Sequence, residues 1–343
     1  MKQIFLLLLG LLFLDMTSTA QEYNNPGEYL GAINAQSVNI SKKFLSYTSA
    51  SAHGKRAKKV ESLRMKLLDE VQEARMNIAG MPSFKADKSF RDTAVSFMKL
   101  YYNVLNEDYS KIINMEEIAE QSYDAMEAYI MAQEMVSQKL DEANEKMKIA
   151  VEGFAAKNNI TLTKSQSEMD DMMSQVGKIN KYYHQLHLIF FRPYKQEENM
   201  LEAMQKNNIT GIEQNKSSLL KYAQEGLQKT AAIKAFDGDN SLLAACKTVL
   251  NFYVTEANDK MNAVSDFFLT KERFDAIKKE YEKKSSPTKQ DVDAYNKSVN
   301  DVNKASQSFN NSNQSLSKQR KELLTDWNKA INSFFDQHTP HYK

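Results

Sequence analysis

The sequence predicts an all-α protein built from two related helical bundles, the second ending in a long coiled-coil-like hairpin. Three observations carry that expectation. Chain breakers are scarce, with 10 Gly and 5 Pro in 343 residues. Lys, Glu, Ala, Met, Gln and Leu are plentiful, and all are good helix formers. One segment also occurs twice: Val60–Tyr101 aligns without a gap on Ile212–Tyr253 at an offset of 152, with 10 of 42 positions identical. The most telling identities are Phe84 with Phe236, Asp87 with Asp239, Ser89 with Ser241, and Tyr101 with Tyr253.

The first twenty residues read as a signal peptide rather than as part of the fold. Lys2 precedes an apolar run from Ile4 to Leu14, too short to span a bilayer as a helix, and Ser18-Thr19-Ala20 supplies small residues for cleavage. Residues 21–160 and 161–343 are then expected to form the two bundle units, of about four helices each. A first helix is expected over Gly27–Ala52 and a second over Lys55–Ala79. His53-Gly54 lies between them, where Gly commonly follows a helix end. The duplicated Phe-x-x-Asp-x-Ser connection comes next. Its Asp or Ser can accept hydrogen bonds from the unpaired amides of the following helix, and its Phe can pack back on that helix as a staple.

The third helix is predicted over Ser89–Ile113 and the fourth over Met115–Ala156. In the fourth, Val136, Leu140, Ala143, Met147, Ala150 and Phe154 form a heptad seam. Asn158-Asn159-Ile160-Thr161 marks the boundary between halves. At the far end, Ser285-Ser286-Pro287 precedes a final helix carrying two apolar registers. One reads Tyr295, Val302, Phe309, Leu316, Leu323, Ala330. The other reads Val292, Val299, Ser306, Asn313, Arg320, Trp327, Phe334, and its middle is polar. The run Asn310–Ser315 has weak helix propensity. A helix held only loosely there is preferred to one that breaks, and would be about 65–70 Å long at 1.5 Å per residue.

The duplication extends further. Tyr123–Met126 resembles Phe274–Ile277 at offset 151, and Ala150–Phe154 resembles Ala330–Phe334 at offset 180, so the second copy carries 29 extra residues, 180 minus 151.

Charge and cysteine content exclude several classes. The 45 basic residues nearly balance 44 acidic ones, so no nucleic-acid partner is implied. The single cysteine, Cys246, cannot form an intrachain disulfide and reads as a small buried hydrophobe.

Candidate sites are few. His184 and His187 are three apart on a helix and can face one side, which makes them candidate metal ligands. A structural zinc site needs four ligands, usually from more than one element, and the surrounding Tyr182, Tyr183, Leu186, Phe190 and Phe191 favour packed histidines. Glu116, Glu117, Glu120, Asp124 and Glu127 form an acidic run without the Glu-x-x-His pairs of a di-iron bundle; helix-dipole pairing in a first turn explains it. His53, Lys55, Arg56, Lys58 and Lys59 form a basic cluster read as solvated. Tyr101, Tyr102, Tyr109 and Phe97 read as core aromatics. No catalytic triad, P-loop or dinucleotide fingerprint is present in the sequence, and no cofactor is expected.

Asn25–Tyr29, Asn103–Tyr109 and Met115–Asp124, together with the Phe84/Asp87/Ser89 connection, resemble an uncharacterised family of exported, all-helical bacterial surface proteins. The resemblance implies export and an all-α fold and carries no catalytic residues. Many members look like lipoproteins; here no cysteine stands at the cleavage site, so lipid anchoring is not expected. The reading is a non-enzymatic envelope protein that binds or scaffolds a protein or glycan in the periplasm or at the cell surface. A ligand- or metal-binding bundle is the alternative.

Overall fold

The computed structural model describes residues 23–108, 115–116, 118–162 and 168–342. The expected signal peptide, Tyr109 and Glu117 lie outside the described residues. Within them the chain is all-α. The helices are α1 (Pro26–Ala52), α2 (Ala57–Gly80), α3 (Ser89–Asn103), α4 (Tyr123–Lys157), α5 (Glu168–Gln205), α6 (Ile209–Ala231), α7 (Ser241–Thr255), α8 (Met261–Glu282) and α9 (Lys289–His338). No helix among the described residues is long and apolar enough to cross a membrane.

Helix starts follow local chemistry. Asn25, Ser122 and Asn208 each accept an amide of the turn they introduce. Thr288 and Asp291 form a reciprocal capping box at the start of α9. Gly54 follows the end of α1 with φ +63°. Helical backbone is present at 115–116 and 118–119, as expected from Met115, but it gives way to a turn at 120–121, and Ser122, in extended backbone, caps a separate long helix at Tyr123. Of the acidic run, Glu116 therefore lies in the short first stretch and Asp124 in the first turn of α4. The third helix also departs from expectation: α-helical geometry ends at Asn103 and gives way to a π-helical turn, Val104–Asp108. A second such turn, Glu256–Lys260, follows α7 at the same offset of 152.

The duplicated connection folds identically in both copies. Phe84 and Asp87 exchange two backbone hydrogen bonds, of 3.1 and 2.9 Å, and Phe236 and Asp239 do the same at 2.9 and 2.8 Å. The two intervening residues take positive φ, Lys85 at 50° and Ala86 at 65°, Asp237 at 47° and Gly238 at 89°. This is the mirror-image turn otherwise typical of two-residue β-hairpins. Asp87 and Asp239 then accept the amides of Ser89 and Ser241 at 2.9 and 2.7 Å, which starts the next helix. Ser89 and Ser241 do not cap; the aspartates do.

The Phe rings reach beyond the helix they introduce. Phe84 lies 5.3 Å from Tyr29 and 5.4 Å from Phe154, and Tyr29 lies 5.6 Å from Phe154. In the second half Phe236 lies 5.2 Å from both Tyr182 and Phe334, which are 5.5 Å apart. Each aromatic triangle joins three segments, so the staple expectation gives way to an interhelical role. The triangles pair α1 with α5 and α4 with α9 as corresponding elements, beside α2 with α6 and α3 with α7.

The cut at residue 160 separates segments but not cores. The first core gathers Ile33, Leu67, Ile78, Met98 and Phe154. The second contains Leu186, Leu250, Trp327 and Phe334, and also takes Met126 and Ile130 from the start of α4. Helix α4 thus bridges both. Helix α9 is continuous through Asn310–Ser315. Its C-terminal half packs on the second core through Leu316, Trp327 and Phe334. Its N-terminal half pairs with α8 by ring contacts, Phe267 with Phe309 at 4.6 Å and Tyr281 with Tyr295 at 4.6 Å.

Two predictions follow from the turn. Phe84→Ala and Phe236→Ala should each cost roughly 3–5 kcal/mol, read by urea melts; a loss under about 1 kcal/mol for both would remove the anchoring role. Gly238→Ala should cost about 1 kcal/mol, whereas Ala86→Gly should be neutral or slightly stabilising, because Gly relieves the positive φ that Ala tolerates poorly.

A buried carboxylate–guanidinium cluster as the candidate functional site

The most unusual chemistry lies where α5, α7 and α9 meet. Arg320 of α9 donates from Nε to Glu197 of α5 and from Nη2 to Glu256 in the π-helical turn after α7. The carboxylates are 1% and 0% exposed and the guanidinium side chain 12%. Removing such charges from water costs several kcal/mol per ion unless they are paired and hydrogen-bonded. Here two carboxylates face one guanidinium, and the satisfaction is incomplete. Glu256 Oε2 has no hydrogen-bond partner, and neither does the Tyr253 hydroxyl, whose ring is 1% exposed.

The imbalance appears in the proton affinities. Burial pushes the Glu197 carboxyl well above the usual carboxylate range, and the nearby Glu256 charge adds to it, against the opposing pull of Arg320. Burial, reinforced by the Glu197 charge, raises the Tyr253 phenol. For Arg320, burial alone would lower the affinity, but the two carboxylates more than reverse it and keep the guanidinium charged. The cluster therefore favours holding one extra proton, which balances its charge.

Val104 of the first copy stands at the place of Glu256, offset 152, and is buried at 1% in an equivalent π-helical turn. The second copy has put a carboxylate where the first has an isopropyl group. Extra-residue turns of this kind re-aim side chains and occur often at functional sites. The sequence held one signal of the cluster: Arg320 is the charged residue in the polar middle, Ser306, Asn313 and Arg320, of an otherwise apolar register. Glu256 carried no such mark, and Glu197 was notable in the sequence only as one of two carboxylates, with Glu198, about three turns beyond the His184/His187 pair.

The other sequence candidates are placed as follows. His184 and His187 are half-buried on α5. Burial lowers both, His187 to about 4 with a smaller push from His184. His187 Nδ1 lies 3.2 Å from the Tyr183 hydroxyl and its ring stacks on Phe191 at 5.6 Å. Among the described residues no group of three or more His, Cys, Asp and Glu is placed to hold a metal ion, so the pair has no third ligand of these types there. Cys246 is buried, with its thiol pushed up to about 12 by burial. Tyr101 and Tyr253 are both core residues, 8% and 1% exposed, but only Tyr253 borders the charge cluster. Surface hollows are shallow; the larger, about 410 Å³, is lined by Tyr182, Lys229, Phe236 and Asp237 among others.

No family model matches the chain, and no curated protein or solved structure matches it either.

The cluster yields a stability prediction with a definite sign. Glu197 has its folded-state affinity raised, so its contribution is fully present below the unfolded value near 4.5 and is lost as pH rises through the folded value. Glu256→Gln leaves Glu197 matched by Arg320, and should raise stability at pH 7 and flatten that decline. An unchanged slope in urea melts between pH 5 and pH 8.5 would contradict the proton-holding reading. Arg320→Met should cost roughly 3–5 kcal/mol at pH 7, since the carboxylate charge that the guanidinium balances remains buried without a counter-charge.

Proposed function

We propose that the protein is an exported, non-enzymatic helical scaffold of the bacterial cell envelope that presents its α8–α9 hairpin to a protein or glycan partner. The reading rests on the expected signal peptide and on the resemblance to helical surface proteins. The structural observation that supports it is the hairpin itself. Beyond Phe268 no residue of α8 is buried, and residues 276–290 are exposed almost throughout. The distal ~20 residues of α9 reach about 30 Å past the core, at 1.5 Å per residue, with aromatic pairs to hold the two helices together. The 29 residues by which the second copy exceeds the first fall within this hairpin region. An ordered extension that buries little apolar surface costs conformational entropy that the core does not recover, which makes presentation to a partner its natural use.

In-cell photocrosslinking from probes at exposed Lys279 and Lys297, followed by mass spectrometry, should capture a recurrent envelope partner. The same probe at the internal position Leu250 serves as the negative control. Replacing residues 272–305 by a short loop should abolish capture while leaving the thermal melt of the remaining bundle within a few degrees. Equal capture from the trimmed protein through other sites, or none from the arm, would overturn the presenting role.

A further inference from the structure

The positive charge of the chain is unevenly spread. Between Tyr29 and Val60 the sequence carries Lys42, Lys43, Lys55, Arg56, Lys58 and Lys59 and no Asp or Glu. That window sums to +6 against +1 for the whole chain, so the remainder sums to −5, +1 minus +6. The fold gathers these cations on the α1–α2 hairpin. Lys42 and Lys43 lie on the second half of α1, Lys55 and Arg56 in the connection, and Lys58 and Lys59 in the first turn of α2. All are exposed except Lys43, which is half-buried.

None of the six is ion-paired among the described residues, although lysine ion pairs occur along α4, α5 and α8. The neighbouring carboxylates are already engaged. Glu61 holds Arg64 through both oxygens, at 2.9 and 2.8 Å, and Asp336 holds His53 at 2.9 Å. Helix α2 also starts against the charge. Arg56 at its N-cap makes no side-chain cap, and its first turn holds no acid, although cations there oppose the helix dipole. The unpaired amides of that turn add to the positive potential.

A histidine seam shapes this surface. His341 of the C-terminal tail stacks on His53, with ring centroids 3.8 Å apart, and the Tyr342 amide donates to Ser49 Oγ at 3.0 Å. Tyr342 thereby walls a hollow of about 380 Å³ that Asn39, Lys42, Lys43, Ser46 and the single carboxylate Glu70 also line. Asn39, Lys42, Ser46, Ser49 and His53 follow at steps of three and four, so they share one face of α1. The hollow and the connection stand roughly 15–20 Å apart along that face, at 1.5 Å per residue.

Cations so spaced cannot close on one small anion. A bilayer is held at its interface by inserted apolar side chains, and none of large size is exposed between residues 23 and 64. Single-stranded nucleic acid is held by rings that stack its bases, and no Phe, Tyr or Trp of that stretch is exposed. What fits a line of cations with an amide at one end is a chain of hydroxylated rings bearing regular acidic groups. We infer that this shoulder of the α1–α2 hairpin binds a linear acidic polysaccharide, with Lys42 and Lys43 seating one acidic group in the hollow and the cations from Lys55 to Lys59 gripping the polymer further along. The surface uses no residue of the α8–α9 arm, so it can fail without touching the arm's presenting role, and the reverse.

Fluorescence anisotropy of a fluorescein-labelled heparin dodecasaccharide with the full chain tests the inference. Binding is expected to weaken at least about tenfold between about 50 and 200 mM NaCl, as released counterions are recaptured. The variant Lys42→Gln/Lys43→Gln/Lys55→Gln/Lys58→Gln should weaken it at least about tenfold at the lower salt. Lys55→Gln/Lys58→Gln alone, at two fully exposed positions that leave the thermal melt unchanged, should weaken it at least about threefold. Lys279→Gln/Lys297→Gln/Lys304→Gln/Lys318→Gln removes the same charge elsewhere and should change binding less than about twofold. Absence of binding at the lower salt, an equal loss in both quadruple variants, or unchanged binding in the double variant would each overturn the inference. So would tighter binding of single-stranded DNA of about 20 nucleotides, or of phosphatidylcholine vesicles with about 30% phosphatidylglycerol.

Discussion

Arg320 is the residue on which the arrangement of the second half depends. A guanidinium 12% exposed cannot be left without partners, and its two partners come from different helices. Glu197 fixes where α9 lies along α5, and Glu256 fixes how far it is rotated toward the end of α7. With that point set, the stripe Leu316, Trp327 and Phe334 faces the core. The same setting carries His338 to Asp239 and brings the tail to Ser49 and His53. Apolar packing along α9 is repetitive, with Val302, Phe309, Leu316, Leu323 and Ala330 at seven-residue steps, and so sets register less sharply than a point contact does. Charge matching supplies that point, a use of buried polar groups best attested for setting register.

The two halves show how a repeated scaffold can diverge. The turn, the aromatic triangle and the π-helical turn recur at nearly constant offsets, since each solves a local problem of chain direction and burial. Among the buried positions that differ, Val104 against Glu256 exchanges an apolar side chain for a carboxylate, and the final hairpin differs in length. The first change places charge in a core and demands Arg320 and Glu197 as company. The second carries chain out past the core, where burial no longer governs which residues are tolerated. Helix α4 also limits how independent the halves are, since Met126 and Ile130 enter the second core while Phe154 closes the first.

Much of this was legible in the residues. Scarce breakers and the heptad seams determined the all-α class, because helix propensity and periodicity are local properties. The Phe-x-x-Asp-x-Ser repeat marked the turn, because its aspartate caps within a few residues, whereas the distant partners of its ring were not legible. Cys246 read correctly as a core residue from its apolar surroundings. The start of α4 was misplaced by eight residues, since the run from Met115 is a good helix former and only the capped, extended backbone at Ser122 interrupts it.

The charge cluster and the histidine seam were not legible, apart from the charged Arg320 in the polar middle of its register. Glu197 and Glu256 sit in polar stretches that look like solvent-facing helix, and no local pattern says that a carboxylate is buried. His53 and His341 lie 288 positions apart, and their stacking exists only because the end of α9 returns to the end of α1. The sequence by itself determined which segments are helices, where they turn and which unit is repeated, because those depend on interactions between near neighbours. Only the tertiary structure decided which charges share a core and which rings stack, because those depend on where distant helices finally meet.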